Sequence, residues 1–392
     1  MKPLEGIRVL DLTQFVSGPM CTLTLVDLGA EVIKVERLGV GDDTRNETPT
    51  CGRTSAKFIS CNRGKKSIEL NLKDPRHRGI FMRLLEKTDV VVENYKPGTM
   101  EKFGLSYEEM KKVKPDLIYA EISGFGQTGP YSSRGALDIA VQAMSGFMSV
   151  TGEKNGKPVK AGTSVADIVT GLYGVIGILS ALRYRDLTGE GQEVDVAMLD
   201  SMVASVMLNE IARYNMNGIV PVPQGNRHAS SAPFQEFATK DGSIMVCCPT
   251  NKQFETLMRA LGHPEVYEDP MFKEQKERYS HKDELEQAMQ PIFSALTTKE
   301  AVALMAKAAL PFGEINKVSD VADNEQLKAR NMYIDVEDDT EQSVFHTIGF
   351  PLKMASVPYQ ASFRSPGLGE DTEDVLKDLL GMTDEEIKRA FE

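Results

Sequence analysis

The sequence predicts an α/β protein: a parallel sheet with helices on both faces, accompanied by a second, smaller α/β domain. Three observations predict this. Across the first half, short apolar runs alternate with helical segments, the strand–helix–strand rhythm that builds parallel sheets. At 392 residues the chain is too long for one ordinary core. Around Gly218–Pro233 the texture changes to a loop rich in Pro, Gly, Asn and Ser.

The elements follow in order. Ile7–Leu12 is an apolar strand, Gly18-Pro19 a turn, and Met20–Leu28 a helix that Gly29 ends. Val32–Val35 is the next strand. The amphipathic helix Pro75–Thr88 leads into strand Val90–Glu93, and helix Ser106–Val113 into strand Leu117–Ile122. Thr163–Tyr184 reads as a long helix rich in small residues, and Gln192–Met198 as a further strand. Past the loop, Gly242–Cys248 is strand-like, while Lys252–Leu261, Lys282–Leu296 and Thr298–Ala308 are helical. The tail makes a turn at Ser365–Glu370 and closes on a helix from about Thr372. The expected domains are 1–215, 216–330 for the linker and small domain, and a return segment 331–392. No internal repeat or low-complexity tract is visible.

Composition excludes several function classes. The net charge of −12 argues against nucleic-acid binding, which needs a basic surface, but leaves room for a local basic pocket around a small anion. The longest apolar stretch, Gly171–Leu182, falls well short of the ~20 residues that a bilayer requires, so no membrane span is expected. The N-terminus enters a strand pattern without a charged-then-apolar leader. The five cysteines, Cys21, Cys51, Cys61, Cys247 and Cys248, have neither metal-like spacing nor a disulfide layout. These features point to a cytoplasmic enzyme without metal.

One motif is set aside. Gly124-Phe-Gly126-Gln-Thr-Gly129 matches the dinucleotide pattern G-x-G-x-x-G and follows a strand. The pattern works only when its third glycine opens a helix whose N-terminus holds a pyrophosphate. Here Pro130-Tyr-Ser-Ser-Arg134 follows, which reads as loop, and no acidic residue ends the next strand. The stretch is expected to be a flexible loop over a site.

An ordered series of segments resembles the class III CoA-transferases (the formyl-CoA transferase or CaiB/BaiF family). The series is Pro3–Asp11, Gly18-Pro19, Leu28–Arg37, Asn62–Leu70, Val92–Gly98, Ser123–Pro130, Gln142–Gly146, Asp167, Gly189–Ala197, Gly225–Ala229 and the Pro366–Glu370 turn. The resemblance covers essentially the whole chain. It implies a Rossmann-like large domain built from both chain ends, a smaller domain formed between them, and two subunits interlocked as a homodimer. It also implies acyl-CoA and a carboxylic acid as substrates, with no permanently bound cofactor.

Within that resemblance Asp167 is the nucleophile. Its carboxylate would attack an acyl-CoA carbonyl to give a mixed anhydride, splitting one hard exchange into covalent steps. A carboxylate is a weak nucleophile in water, so it needs partial desolvation and N–H donors for the developing oxyanion, for which the glycine loop is one source. Read locally, Asp before an apolar helical run is simply an N-cap. The resemblance further implies CoA contacts at Gln14, Val16 and Ser17 after the first strand, and at Arg37 after the second. Leu70, Leu72 and Lys73 would line the adenine and ribose, and Asn94, Tyr95 and Lys96 would border the pantetheine arm. Lys102 stands where better-known members carry arginine. A solvated surface charge is the alternative for each of these cations, and a solvated turn for Arg63-Gly-Lys65-Lys66.

Departures from the family pattern shape the remaining expectations. Racemases of the same fold place His beside Asp where this chain has Leu137-Asp138, and proton exchange next to a thioester needs that second acid–base group. Transfer is therefore favoured over racemisation. Asp138 is either a carboxylate that positions Asp167 or the acceptor, or a structural turn residue. Arg134 is a candidate for holding a carboxylate or CoA phosphate. His228 lies in a loop near the acceptor by resemblance, or is a surface residue. The glycine-run loop of formyl-CoA transferases is missing, which weighs against formate and oxalate. A non-catalytic CoA-binding protein is the third reading.

Overall fold

The computed structural model describes residues 2–51, 54–338, 343–357 and 364–392. Six parallel strands form the main sheet: β1 (Arg8–Asp11), β2 (Glu31–Glu36), β3 (Lys66–Glu69), β4 (Val90–Glu93), β5 (Ile118–Ser123) and β6 (Gln192–Ala197). Their spatial order is 3-2-1-4-5-6, that of doubly wound nucleotide-binding sheets, in which ligands bind where the order reverses, here between β1 and β4. The expected parallel α/β sheet is present.

Why the strands read as continuous apolar runs follows from the two faces. Leu10, Ile33, Val91 and Tyr119 point to a core shared with the helix Pro75–Leu85 and the C-terminal helices Thr372–Leu380 and Asp384–Phe391. Their neighbours Val9, Val32, Val90, Val92 and Ile118 point to the opposite core, against helix α1 (Ser17–Asp27) and the long helix Val165–Thr188. Successive strand side chains alternate faces, so strand residues of a sheet covered on both sides are largely apolar on each face.

Several boundaries differ from expectation. Gly18-Pro19 is no turn but part of the first turn of α1. Proline is tolerated there because its missing N–H would have had no helical partner, and Gly18 is needed because a Cβ would lie 2.3 Å from Thr13 Cβ. The long helix runs 24 residues, far beyond the apolar stretch that the sequence marks, and by length and composition it could cross a membrane. Its small-residue face is nonetheless buried, at Ala166, Thr170, Gly171, Gly174 and Ile178.

Two compact units divide the chain: one of Met1–Met148, Lys160–Ile219 and Gln326–Glu392, the other of Ser149–Val159 and Val220–Glu325. Ser149–Val159, which the sequence reading leaves with the first domain, lies with the second unit. That unit has an antiparallel three-stranded sheet of Phe234–Ala238, Ser243–Cys247 and Phe312–Glu314. Its core includes Phe237, Ile244, Phe254, Leu257 and Phe293. Two of its helices start with capping boxes, Thr250 with Gln253 and Thr297 with Glu300, each satisfying free N–H groups at both partners.

In the basic run after helix α2 (Ala56–Asn62), Arg63 and Lys65 are buried rather than solvated, while Lys66 stays half-exposed. Arg63 grips Asp27 with two hydrogen bonds of 2.8 and 2.9 Å. Lys65, fully buried, donates to Asp11 Oδ2 (2.9 Å), Thr22 Oγ1 (2.7 Å) and Asn62 Oδ1 (2.8 Å). Burial alone would raise the Asp11 carboxyl, but Lys65 and Lys34 beside it hold it at about 2. Asp11 therefore contributes stability that is present above the ordinary carboxylate range and lost as pH falls toward 2. Lys65→Met strands the Asp11 charge in the core and is expected to destabilise the fold by about 3–5 kcal/mol, read from urea unfolding at pH 7. An unfolding midpoint equal to wild type would refute this assignment.

Candidate active site

The turn that leaves β1 carries the first wall of the site. Asp11 accepts from Thr13 N–H (2.8 Å) and Thr13 Oγ1 (2.5 Å), while buried Lys34 donates to the Thr13 carbonyl (2.6 Å) and pairs with Asp42 at 3.0 Å. Gln14 N–H donates to Asn94 Oδ1 (2.8 Å) and Asn94 Nδ2 returns a hydrogen bond to the Gln14 carbonyl (2.7 Å). This clasp joins the loops after β1 and β4 at the point of strand-order reversal. Phe15, half-exposed, then takes a left-handed backbone at φ 65°, which is rare for so large a residue and is met chiefly at functional sites.

A cleft of about 990 Å³ opens beyond this turn. Its wall includes Phe15, Val16, Ser17, Asn94, Tyr95 and Lys96, together with Arg134, Leu137, Asp138 and Asp167. A second cavity of about 400 Å³ is lined by Arg37, Leu70, Leu72, Lys73 and Phe103, and Tyr95 is common to both linings. Tyr95 thus adjoins both the cleft beside Asp167 and the cavity beside Arg37 and Lys73. Lys102, at the end of the short helix Thr99–Lys102, is exposed and belongs to neither lining. Arg37 is held by the Gly41 carbonyl and by Asp43.

Asp167 is not the cap of its helix. Ser164 is the N-cap of Val165–Thr188 and makes no side-chain capping bond, which leaves Asp167 at the third helical position. The capping acceptor comes from elsewhere. Asp138, first residue of the helix Asp138–Met144, accepts Ala166 N–H at 2.8 Å and Asp167 N–H at 3.3 Å on Oδ1. Gln142 Nε2 donates to Asp138 Oδ2 at 2.5 Å. Burial, reinforced by the neighbouring Asp138 carboxylate, pushes Asp167 up to about 6, while Lys57 and the Ser17 hydroxyl pull the other way. Its carboxylate is thus partly desolvated, with a carboxylate neighbour beside it.

Close helix packing brings Ser17 to Asp167. A Cβ at Gly171 would lie 2.7 Å from the Ser17 carbonyl, and one at Gly174 3.0 Å from Cys21 Sγ, so α1 approaches the long helix at backbone contact distance. Beneath the opposite wall, Glu93 accepts the Tyr95 N–H at 2.6 Å. Burial raises its carboxyl to about 8, leaving it uncharged at neutral pH.

The glycine loop meets only part of its expectation. Gly124 lines the cleft, but Gly126 N–H is taken by Ser123 Oγ (2.9 Å) and Gln127 N–H by Asp195 Oδ2 (2.9 Å). Those two donors are spent within the fold and do not serve an oxyanion. Arg134 lies in the cleft wall with its guanidinium 4.0 Å over the Tyr131 ring. His228 is in the second unit, stacked on Phe234 with ring centroids 4.7 Å apart. Among the described residues no group of three or more His, Cys, Asp or Glu is arranged to hold a metal. Sequence reasoning missed Phe15, Lys57 and Glu93, since only their three-dimensional neighbours distinguish them.

Comparison with known proteins agrees with this arrangement. The model of CoA-transferase family III matches residues 4–372. The chain is 41% identical to an acetyl-CoA:oxalate CoA-transferase of Acetobacter aceti, over 85% of each chain. It is 37% identical to the mouse succinyl-CoA:glutarate CoA-transferase, over 100% of this chain and 89% of that one. The crystal structure of a CaiB/BaiF family protein from Brucella suis superposes with a TM-score of 0.86 at 38% identity, covering 96% of this chain and 99% of that one.

The packing of α1 on the long helix yields a direct test. Gly171→Ala drives a methyl group into a backbone carbonyl, which cannot yield as a flexible side chain would, so Ser17 must move off Asp167. CoA-transfer turnover is expected to fall roughly ten- to a hundredfold with the helix content by circular dichroism retained. Wild-type turnover in this variant would show that the Ser17 contact has no part in the reaction.

Proposed function

The chain belongs to CoA-transferase family III and is a CoA-transferase; from that footing we propose that it moves CoA from an acyl-CoA donor to a free carboxylic acid through covalent intermediates on Asp167. The observation that carries this reading is the state of Asp167: a half-buried carboxylate in the cleft wall, with the helix N–H groups around it already occupied by Asp138.

In the reaction an Asp167 oxygen attacks the thioester carbonyl carbon, and the C–S bond breaks as CoA leaves as a thiolate. The product is an acyl–aspartyl anhydride. The thiolate then attacks the Asp167 carbonyl carbon, releasing the donor acid and leaving CoA as an aspartyl thioester. The acceptor carboxylate attacks that thioester and displaces the thiolate, which finally attacks the acceptor's acyl carbon and frees Asp167. No proton or electron is gained or lost overall. In this scheme Val16, Ser17, Asn94, Tyr95 and Lys96 border the pantetheine arm, and Arg37, Leu70, Leu72 and Lys73 hold the adenosine end, with Gln14 supporting Tyr95 by a hydrogen bond to its hydroxyl. Lys102 offers its charge from the surface nearby.

Arg134, with Lys57 and Lys160 in the same wall, suits an acceptor bearing a second carboxylate. The named relatives act on oxalate and glutarate, so oxalate belongs in the acceptor panel although the glycine-run loop is missing. Leu137 at the cleft supplies no second base, which disfavours racemisation.

The homodimer, with its subunits interlocked, is part of the same proposal. An apolar stripe one to two turns long, Leu172, Ile176 and Leu179, is 44%, 57% and 36% exposed on the long helix, and a second copy is the occupant that the family resemblance implies. Ile176→Lys is expected to convert a dimer to monomer in multi-angle light scattering. A monomeric wild-type protein would exclude the dimer.

Incubation with acetyl-CoA or succinyl-CoA followed by hydroxylamine should leave a hydroxamate on Asp167, detected by peptide mass spectrometry. Transfer to oxalate or glutarate should vanish in Asp167→Asn. Because the nucleophile must be ionised, turnover should fall on the acid side with an apparent pKa near 6, rising to a plateau above it. Undiminished exchange in Asp167→Asn would end this reading.

A further inference from the structure

The Gln142–Gly146 motif takes no part in the steps above, yet Gln142 is fully buried and both ends of its amide are engaged. Asp138 and Gln142 stand one turn apart on the same helix face. The Gln142 Oε1 accepts Ala161 N–H at 2.8 Å, which orients the amide so that Nε2 faces Asp138 Oδ2 at 2.5 Å and the Thr163 carbonyl at 3.4 Å. Asp138 Oδ1 in turn takes the N–H groups of Ala166 and Asp167. A continuous chain of hydrogen bonds therefore runs from the segment before the long helix, through Gln142 and Asp138, to the backbone of Asp167.

The consequence lies in what the Asp167 side chain is spared. An acidic residue in the first turn of a helix can turn its carboxylate back onto the free N–H groups there, from the N-cap onward. A carboxylate engaged in that way would be turned from the cleft and would have lone pairs committed. Here Asp138 fills two of those N–H groups from outside. It can do so only while its other oxygen is held, because a carboxylate turned about its Cα–Cβ bond would lose both.

We propose that Gln142 is a positioning residue: its amide locks Asp138 onto the first turn of the long helix and so keeps the Asp167 carboxylate off its own helix backbone and facing the cleft. This rests on Asp167 being the nucleophile. Gln142 itself lies outside the cleft lining and touches no substrate.

The test uses exchange of labelled free CoA into acetyl-CoA or succinyl-CoA, whichever the wild-type protein turns over faster. In Gln142→Met the kcat is expected to drop roughly ten- to a hundredfold at every pH, with KM for the acyl-CoA and the melting temperature little changed. Gln142→Glu is the informative variant. Its ionised carboxylate would face that of Asp138 and repel it, but once protonated it offers one donor and one acceptor, as the amide does. Its activity relative to wild type should therefore recover as the pH is lowered from 8 towards about 5, the upper edge of the ordinary glutamate range, while the methionine variant does not recover. Wild-type kcat in both variants would overturn the proposal. So would equal, pH-independent losses accompanied by weakened CoA binding and a lowered melting temperature, which would mark a merely structural role. Activity in Asp167→Asn would instead overturn the underlying reading, so the two failures are distinguishable.

Discussion

The buried charge network behind the first two strands is the constraint on which the site depends. Asp11, Lys65, Lys34 and Asp42 are all essentially inaccessible to water, and each would be costly to bury alone. Together they satisfy one another and use their remaining bonds on the backbone that leaves β1. Lys34 holds the Thr13 carbonyl and Asp11 holds the Thr13 N–H. Glu36 and Arg45 extend the network to the C-terminal return of the chain, where Arg45 donates to the Pro366 carbonyl at 3.1 Å. Such a network adds little stability compared with apolar packing of the same volume. Its effect here is geometric: it leaves the turn one conformation, which carries Phe15 into a left-handed backbone and starts α1 at Ser17.

From that starting point the chemistry follows by packing. The glycines of the long helix let α1 approach until Ser17 reaches the carboxylate of Asp167, and Asp138 arrives from a third segment to cap the same helix. Burial and the adjacent carboxylate raise the pKa of Asp167, while Lys57 and Ser17 pull it back. Four separate stretches of sequence thus converge on one side chain. Because the sheet order reverses between β1 and β4, the loops after those strands diverge and leave the cleft into which Asp167 faces.

How much of this could be read beforehand differs from element to element. The strands Val90–Glu93 and Leu117–Ile122 were legible because a sheet buried on both faces writes itself as unbroken apolar runs. Strand Lys66–Glu69 was not, since three of its four residues are polar and Ser67 is buried by hydrogen bonds to Glu36 and Gly369 rather than by apolar packing. The basic run at Arg63–Lys66 looked like a solvated turn because charge signals exposure in sequence; only the positions of Asp27 and Asp11 reveal that two of its cations are buried. Asp167 carried an N-cap signature by local pattern, and its true position in the helix depended on an aspartate 29 residues away.

The sequence by itself determined the parallel α/β class, the apolar faces of its strands and helices, and, through the ordered motifs, the CoA-transferase family. These are properties of periodicity and residue type, which the linear chain records directly. Tertiary structure alone decided that Asp138 rather than Asp167 caps the long helix, that Gln142 braces Asp138, and that two N–H groups of the glycine loop are already committed. Hydrogen-bond partnership and desolvation depend on what surrounds a group in space. Residues distant along the chain supply those surroundings, and only folding brings them together.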